Sequence, residues 1–394
     1  MSDRQQSEAV EIDTSDVERW RGVPLGRQQP RYPVSESDIG RWAQAMHNPN
    51  PVYYDPDFAA DSRFGGIVAP QSFTVAAGDG HGATPAIQGS VPGSHMLFGG
   101  DEWWFYGPRI RPGDLCQRDT MLYDYRVTNT RFAGPTLFSR GDTTYINQRG
   151  EPVAKQRSTA IRYVVAEALR RGAFAGQDKE PLWDQPDLER LEAQKRDYYQ
   201  TLRAQGHQAR EYASVKVGET LPERVLGPHT VASFTTEHRA RPVTVWGAAY
   251  QTKGPTSLWS AGWLNEMGRD FDRVAYDPAA ADGLYMGPSR GHVQPEFAQL
   301  IGMPRAYGYG SSMGGWILDY LENWASEWGW TIHMDSQYRF PAFVGDATIL
   351  NGEVTELGVS HSGEAQATVK IEMTTQSGEK MATATAEVHL HTDS

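Results

Sequence analysis

The sequence predicts a duplicated protein in which each half combines helices with a run of antiparallel strands. Three short stretches of the first half recur in the same order in the second half. Tyr53–Ala59 resembles His292–Ala298, Gly113-Asp114 matches Gly345-Asp346, and Gly150-Glu151 matches Gly378-Glu379. A single match at a turn would mean little, but three matches in order indicate one unit that was copied and then changed in its loops.

The strands are predicted from alternating apolar residues and from the turns between them. In the first half we expect strands at Asp101–Tyr106, Leu115–Thr128, Pro135–Asn147 and Pro152–Val164. In the second half, apolar residues alternate along 365–373 and 382–390. Such alternation is typical of strands with one buried face. Many of the 40 glycines lie at turns between these segments, which favours an antiparallel sheet with short connections.

One helix is predicted with particular clarity, at the end of the second half's repeated motif. Its apolar residues follow helical spacing at Met313, Trp316, Ile317, Tyr320, Leu321, Trp324 and Trp328. Gly308 and Gly310 precede it, and Ser311 or Ser312 can cap its first turn. A helix start presents backbone N–H groups to any oxygen that becomes negative. The first half has a shorter counterpart, expected from Pro70 to about residue 78.

The order of these segments suggests four regions. Residues 1–18 are expected to be disordered and residues 19–165 to form the N-terminal unit. Residues 166–211 read as a linker with an exposed helix at 186–206. Residues 212–394 form the C-terminal unit, with an insertion at 239–287 that is rich in Gly, Trp and Tyr. A loop of that length is usually functional or a lid.

Composition excludes several functions. The net charge of −12 argues against nucleic acid as a partner, because binding to phosphates needs a basic surface. A single cysteine, Cys116, excludes internal disulfides and fits a reducing compartment. A polar N-terminus and the lack of a long apolar run predict a cytoplasmic protein without membrane contact. No phosphate-loop motif is found, the third glycine of a dinucleotide fingerprint would fall on Met313, and no metal-ligand spacing stands out.

The repeated motif resembles that of the MaoC-like acyl dehydratase and (R)-specific enoyl-CoA hydratase superfamily, over about residues 31–390. The superfamily motif runs roughly D-x-N-P-x-H-x-D-P-x-x-A and leads through a glycine-containing approach to a long central helix. Asn50–Ala59 fits it, but Asn48 stands at the usual Asp and Tyr53 at the usual His. In the second half His292 keeps the histidine, whereas the usual Asp falls on Gly287.

This resemblance implies an α+β fold of the double hot-dog type. Two antiparallel sheets, each wrapped around a central helix, would lie side by side as one continuous sheet. Double units of the superfamily commonly keep one site and turn the other into a substrate tunnel. The resemblance therefore implies a degenerate N-terminal site and a C-terminal site at His292. It also implies that double units pair as homodimers.

The same resemblance implies reversible hydration of a 2-enoyl thioester, with coenzyme A as part of the substrate and no other cofactor. His292 is the expected base, and the backbone of Gly310 and Ser311 the expected oxyanion site. The carboxylate partner of His292 stays open. Asp282 is the nearest acid upstream, and Asp270, Asp272 and Asp277 are alternatives within the insertion.

Further substrate contacts are expected from Asn48 and Tyr53 as a hydrogen-bonding pair, and from Tyr309 and Trp316. Arg290 is a candidate clamp for a phosphate, or a solvated side chain. The 12 tryptophans fill the core or line a channel for a bulky acyl group, which the insertion favours.

Two alternatives remain open. A catalytically silent subunit that binds acyl thioesters is supported by the glycine at position 287. Thioester hydrolysis or a cyclisation would use the same scaffold, and hot-dog thioesterases often carry a carboxylate on the central helix. Asp319 and Glu322 lie there, but helical geometry predicts that both face away from the apolar stripe.

Overall fold

A computed structural model of the chain describes residues 11–30, 32–77, 82–240, 290–360 and 363–392. Its strands form a single sheet in which every neighbouring pair is antiparallel. They are β1 (Pro24–Gln28), β2 (Ser94–Phe105), β3 (Gln117–Thr130), β4 (Gly134–Ile146), β5 (Pro152–Val164), β6 (Arg224–Leu226), β7 (Trp330–Tyr338), β8 (Thr348–Val359), β9 (Ala365–Thr375) and β10 (Lys380–His389).

The strand order is β1-β3-β4-β5-β2-β7-β10-β9-β8-β6, so each half of the chain supplies one side of the sheet. The two sides meet where β2 pairs with β7, from Gly100 opposite Gln337 to Trp104 opposite His333. Gly113 and Gly345 both adopt positive φ, at 93° and 90°, at corresponding turns of the two units. This arrangement is the continuous sheet that a double hot-dog fold requires.

The helices of the described residues are short, with two exceptions. They are α1 (Ser15–Glu18), α2 (Glu36–Ala45), α3 (Pro56–Asp61), α4 (Thr74–Ala77), α5 (Val165–Arg171), α6 (Gln185–Gln205), α7 (Val231–Arg239), α8 (Pro295–Leu300) and α9 (Gly310–Ala325). Short 3-10 turns at Pro51–Tyr53, Gln71–Phe73 and Arg290–His292 precede α3, α4 and α8 respectively. None of the helices in the described part of the chain is long and apolar enough to cross a membrane.

The central helix α9 packs against β2, β7 and β10 on one side and against the turn Gln71–Phe73 on the other. All of its residues from Ser311 to Ala325 are buried. Asp319 and Glu322, predicted to face away from the apolar stripe, are therefore buried as well. The helical wheel assumes one solvated face, but here the N-terminal unit covers the face opposite the sheet.

The end regions differ from expectation as well. The prediction that residues 1–18 are disordered is wrong for the residues from Ile12 onwards. Ile12 and Val17 are buried in a cluster with Val91, Leu122 and Leu137. The linker helix, expected at 186–206, is α6, and Asp184 caps it by accepting a hydrogen bond from the N–H of Asp187. It is not fully exposed, because Leu191, Tyr198 and Leu202 are buried.

Candidate active site

The turn Arg290–His292 brings His292 against the segment that leads into α9. Gly291 is buried beneath the ring of Tyr307, and a Cβ at this position would lie 3.3 Å from the Tyr307 Cε1. Ordinary side-chain contacts are longer than this, so glycine permits the phenol ring to pack directly on the main chain before His292. Gln294 and Pro295 then start α8.

A backbone carbonyl orients the His292 ring. Nδ1 of His292 lies 2.6 Å from the carbonyl oxygen of Tyr307. Because a carbonyl can only accept, this short bond places a proton on Nδ1 and leaves the lone pair of a neutral ring on Nε2. The ring centroid lies 4.6 Å from that of Tyr307 and 4.0 Å from that of Tyr309. His292 is therefore held in one tautomer, between two aromatic rings.

The start of α9 lies directly beside this histidine. Tyr309 is the N-cap, and its side chain makes no capping hydrogen bond. The expectation that Ser311 or Ser312 caps the helix is wrong, because both lie inside the first turn and are buried. Gly310 follows Tyr309, so the structure brings His292, Tyr309, Gly310 and Ser311 together. The N–H groups of the first helical turn are the part of a helix suited to a developing negative charge.

The N-terminal unit supplies part of this region. A Cβ on Gly310 would lie 2.4 Å from the Cβ of Phe98 on β2, so strand and helix are in direct contact. Phe98 stacks on Tyr338 with ring centroids 6.0 Å apart. Further along β2, Nε2 of His95 lies 3.4 Å from the Tyr307 hydroxyl. Sequence reasoning missed both residues, because it began this strand at Asp101.

Burial determines the protonation states of His95 and Tyr307. Burial lowers the pKa of His95 to about 4, with a smaller contribution from His292. Burial raises the pKa of Tyr307. At neutral pH the imidazole of His95 is therefore uncharged and the phenol keeps its proton, so the hydroxyl of Tyr307 donates to Nε2 when the His95 proton is on Nδ1.

Asn48 and Tyr53 occupy a different place, against the C-terminal half of α9. The Asn323 amide donates to Oδ1 of Asn48 at 3.2 Å, and the Asn50 amide donates to Oδ1 of Asn323 at 3.1 Å. Tyr53 is fully buried, and burial raises its pKa. Gly310 and Asn323 are separated by about 20 Å along the axis, at roughly 1.5 Å per residue. The predicted site residues therefore fall into two groups.

Asp319 belongs to the second group. Its Oδ1 accepts a hydrogen bond of 2.6 Å from Ser72, and the hydroxyl of Ser72 accepts one of 2.9 Å from the Trp42 indole. Burial raises the pKa of Asp319 to about 6, whereas Arg224, Ser72 and Asn48 oppose the rise. The carboxyl joins the two units through side chains of α2 and of the turn before α4.

Glu322 is committed to a similar contact. It accepts a hydrogen bond of 2.9 Å from the backbone N–H of Gln71 and forms an ion pair with Arg109. Gln71 follows Pro70, where the short helical segment of the N-terminal unit begins. A carboxylate of the C-terminal unit thus accepts a hydrogen bond from the N–H of Gln71, at the start of the short helical segment. In the repeated sequence this segment corresponds to the start of α9.

The remaining candidates are placed elsewhere or not described. Trp316 is buried in the core, where it stacks on His229 at 5.2 Å, and its carbonyl accepts from Arg224. Arg290 lies in the turn before His292, but its side chain is outside the described residues. Asp282, Gly287 and nearly all of the insertion 239–287 also lie outside them. Within the described ranges, no group of three or more His, Cys, Asp or Glu is placed to hold a metal ion.

Known proteins resemble parts of this chain in sequence. The model of the "FAS1-like, dehydratase domain region" family matches residues 19–156. A probable enoyl-CoA hydratase alpha subunit of Thermomonospora curvata is 28% identical over 161 residues, which is 37% of this chain and 50% of that protein. The chain therefore spans about half the length of this relative. A UPF0336 protein of Streptomyces avermitilis is 28% identical over 153 residues, or 38% of this chain and 95% of that protein.

Solved structures resemble the chain over nearly its whole length. A MaoC-like dehydratase covers 95% of this chain and is itself covered completely, with a TM-score of 0.59 and 16% identity. A putative MaoC domain dehydratase from Chloroflexus aurantiacus covers 94% of this chain, with 95% of its own length matched, a TM-score of 0.54 and 11% identity. At such identities the likeness concerns the fold.

The dehydratase-region match lies in the N-terminal unit, whereas the solved structures share the fold of nearly the whole chain. Hot-dog units repeated twice, with the glycine-containing approach to a central helix, are what the resemblance implied. The chain therefore has the fold of MaoC-like hot-dog dehydratases, and its residues 19–156 are similar in sequence to the FAS1-like dehydratase region.

Proposed function

We propose that this protein catalyses the reversible hydration of a 2-enoyl thioester at the His292 site. The observation that carries the proposal is the 2.6 Å contact between Nδ1 of His292 and the Tyr307 carbonyl, beside the start of α9. A base whose tautomer is fixed, next to a helix start, provides two of the groups that this reaction needs.

The reaction proceeds as an addition of water across the C2–C3 double bond. Nε2 of His292 takes a proton from water while the water oxygen bonds to C3, and the electron pair moves through C2 onto the thioester oxygen. The N–H groups of Gly310 and Ser311 stabilise that oxygen. The imidazolium of His292 then returns its proton to C2, and the reverse sequence removes water.

The carbonyl of Tyr307 orients the ring of His292. A neutral acceptor fixes the tautomer without adding a negative charge beside the imidazole. A carboxylate from the insertion, such as Asp282, is not required for the ring to be held.

The substrate is proposed to be an acyl-coenzyme A with a bulky acyl group. The relative from Thermomonospora curvata is named as an enoyl-CoA hydratase subunit. Phe98, Tyr309 and Tyr338 supply aromatic surface near Gly310. The Trp-rich insertion adds to the argument from the sequence. The homodimer and the cytoplasmic location stay predictions.

The test is hydration of a panel of linear and ring-containing 2-enoyl-CoA substrates. Turnover is measured as the loss of ultraviolet absorbance of the conjugated thioester. We expect turnover by the wild type and a loss of roughly 10²–10⁴ in rate for His292→Gln. His391→Gln is the matched control, because His391 lies near the C-terminus and pairs with Glu211. A wild type that binds the thioesters without turnover on any of them would favour the silent binding subunit instead. Equal rates on linear and ring-containing substrates would contradict the proposal that the acyl group is bulky.

A further inference from the structure

We propose that His95 of the N-terminal unit is a positioning residue of the His292 site, acting through the ring of Tyr307. The expected effect of His95 on turnover rests on the proposed function, whereas its expected effect on the His292 ring does not. The candidate site would then be built from both units. The C-terminal unit would supply the imidazole of His292, and the N-terminal unit would supply His95, which helps to position it.

Tyr307 connects the two histidines through different parts of the same residue. Its carbonyl accepts from Nδ1 of His292 at 2.6 Å, and its hydroxyl meets Nε2 of His95 at 3.4 Å. Its ring also covers Gly291, since a Cβ there would lie 3.3 Å from Cε1 and 3.5 Å from the hydroxyl oxygen. A shift of the ring would therefore change the packing of the main chain immediately before His292.

The main chain of this segment is anchored separately. Tyr307 forms an isolated antiparallel bridge with Phe343, and the Gly308 N–H donates to the Ala342 carbonyl at 2.7 Å. Because the backbone is held on that side, the phenol ring is the part of Tyr307 whose place depends on side-chain neighbours. His95 contacts the far end of this ring.

His95 is itself held in the sheet. It lies opposite Tyr163 in the pairing of β2 with β5, and the two rings meet edge to face at 6.0 Å. The Tyr163 hydroxyl donates to the Ile301 carbonyl at 2.7 Å, so its proton is engaged away from Nε2 of His95. The uncharged imidazole can therefore accept from the Tyr307 hydroxyl, which is nine-tenths or more buried with the rest of that side chain. The long distance makes this a weak bond, and its role is steric placement as much as attraction.

The experiment combines kinetics with a direct view of the His292 ring. We would compare wild type, His95→Phe, His95→Gln, Tyr307→Phe and the double variant His95→Phe/Tyr307→Phe. Nitrogen-15 NMR of labelled histidines reports which ring nitrogen carries the proton, and the His292 signals are identified by their absence in His292→Gln. Tyr163→Phe is the matched control, since it removes a neighbouring phenol hydroxyl that does not face Nε2.

In wild type we expect the His292 signals of the Nδ1–H tautomer. His95→Phe should move them toward the mixed tautomers of a free imidazole and lower kcat about tenfold with KM little changed, because small misplacements of a catalytic group are costly. His95→Gln keeps an acceptor for the phenol and should restore both readouts, while Tyr163→Phe should leave both unchanged. The double variant should be no worse than Tyr307→Phe alone.

Unchanged His292 signals and unchanged kcat in His95→Phe would overturn the proposal. Additive losses in the double variant would also overturn it, because they would mean that His95 acts independently of Tyr307. If wild type hydrates none of the substrates, the proposed function fails, but the tautomer of His292 still decides the role of His95. Thermal unfolding of each variant identifies a loss that comes from misfolding.

Discussion

The hydroxyl of Ser72 donates a 2.6 Å hydrogen bond to Asp319, across the boundary between the two units. The Trp42 indole donates to the same hydroxyl, so the chain of contacts runs from α2 to the central helix α9. All three side chains are buried. The two units are therefore joined here by buried polar contacts.

The first prediction concerns the pH dependence of stability. Burial raises the pKa of Asp319 from 3.8 to about 6 in the folded protein. Between these values the folded carboxyl keeps its proton while the unfolded one loses it, so its contribution to the free energy of unfolding falls as pH rises from about 4 to 6. One pKa unit corresponds to about 1.36 kcal/mol. The stability of Asp319→Asn relative to wild type should therefore improve by about 2 kcal/mol between pH 4 and pH 7.5.

Urea unfolding at a series of pH values measures this difference directly. Asp346→Asn is the contrasting control, because Asp346 is buried and paired with Arg305 at 2.9 Å. Its loss leaves the buried guanidinium of Arg305 without its carboxylate and should destabilise the protein by about 3–5 kcal/mol near neutral pH. A difference between Asp319→Asn and wild type that stays constant across the pH range would show that the Asp319 carboxyl is ionised in the fold.

The second prediction concerns the amide network of Asn323. Its side chain donates to Asn48 and to the Tyr198 hydroxyl, at 3.2 and 3.3 Å, and accepts from Asn50. Asn323→Ala removes these contacts and leaves buried polar groups without partners, each at a cost of about 1–3 kcal/mol. We expect the free energy of unfolding to fall by roughly 2–4 kcal/mol in urea titrations.

Asn351→Ala is the control for this substitution, since Asn351 is exposed on β8. Its effect should stay within about 0.5 kcal/mol. If Asn323→Ala were no more costly than Asn351→Ala, water would have replaced the lost amide, and the network would not hold the units together.

The third prediction concerns the contact between β2 and the start of α9. A methyl group on Gly310 would lie 2.4 Å from the Cβ of Phe98, which is too close for any atom pair to tolerate. Gly310→Ala should push strand and helix apart, lower stability by about 1–3 kcal/mol and reduce turnover at the His292 site. Thermal unfolding and the enoyl-CoA assay measure the two effects.

Gly358→Ala is the matched control, because nothing lies within 4 Å of a Cβ at that position. It should leave both readouts close to wild type. A Gly310→Ala protein with native stability and activity would mean that the helix start withdraws from Phe98 without cost.

The sequence was most informative where one local pattern decided the outcome. Strand β5 has the predicted bounds, because alternation is regular there, and α9 was found from its helical spacing although it begins at Gly310, before the predicted cap at Ser311 or Ser312. Strand β2 was begun too late, at Asp101 instead of Ser94. Its pairing with β5 shifts register between Phe98 and Gly100, and this bulge interrupts the alternation that marks a strand.

The candidate site was only partly accessible from sequence for a different reason. His292 was found through a motif, which is local. His95 and Phe98 reach the same region from another unit, and nothing in their own neighbourhood marks them. The burial of Asp319 and Glu322 also depends on which parts of the N-terminal unit cover α9, which helical periodicity alone does not reveal.

The last prediction concerns the degenerate motif of the N-terminal unit. Tyr53→His restores the usual histidine there, yet we expect no second active site. The N–H of Gln71, where the short helical segment begins, is occupied by the carboxylate of Glu322 at 2.9 Å. A developing oxyanion would meet a negative charge at that point instead of a free donor. In the described part of the first unit, the turn Gln71–Phe73 and α4 stand where the second unit has a long helix.

The measurement is enoyl-CoA turnover of Tyr53→His in the His292→Gln background. We expect it to stay at the level of His292→Gln alone, with some loss of stability because Tyr53 is fully buried. Recovery to within about tenfold of wild type would contradict the prediction, since a single general base is worth about 10²–10⁴ in rate. Such a recovery would place a usable oxyanion site in the N-terminal unit and make the loss of its histidine the only reason for its silence.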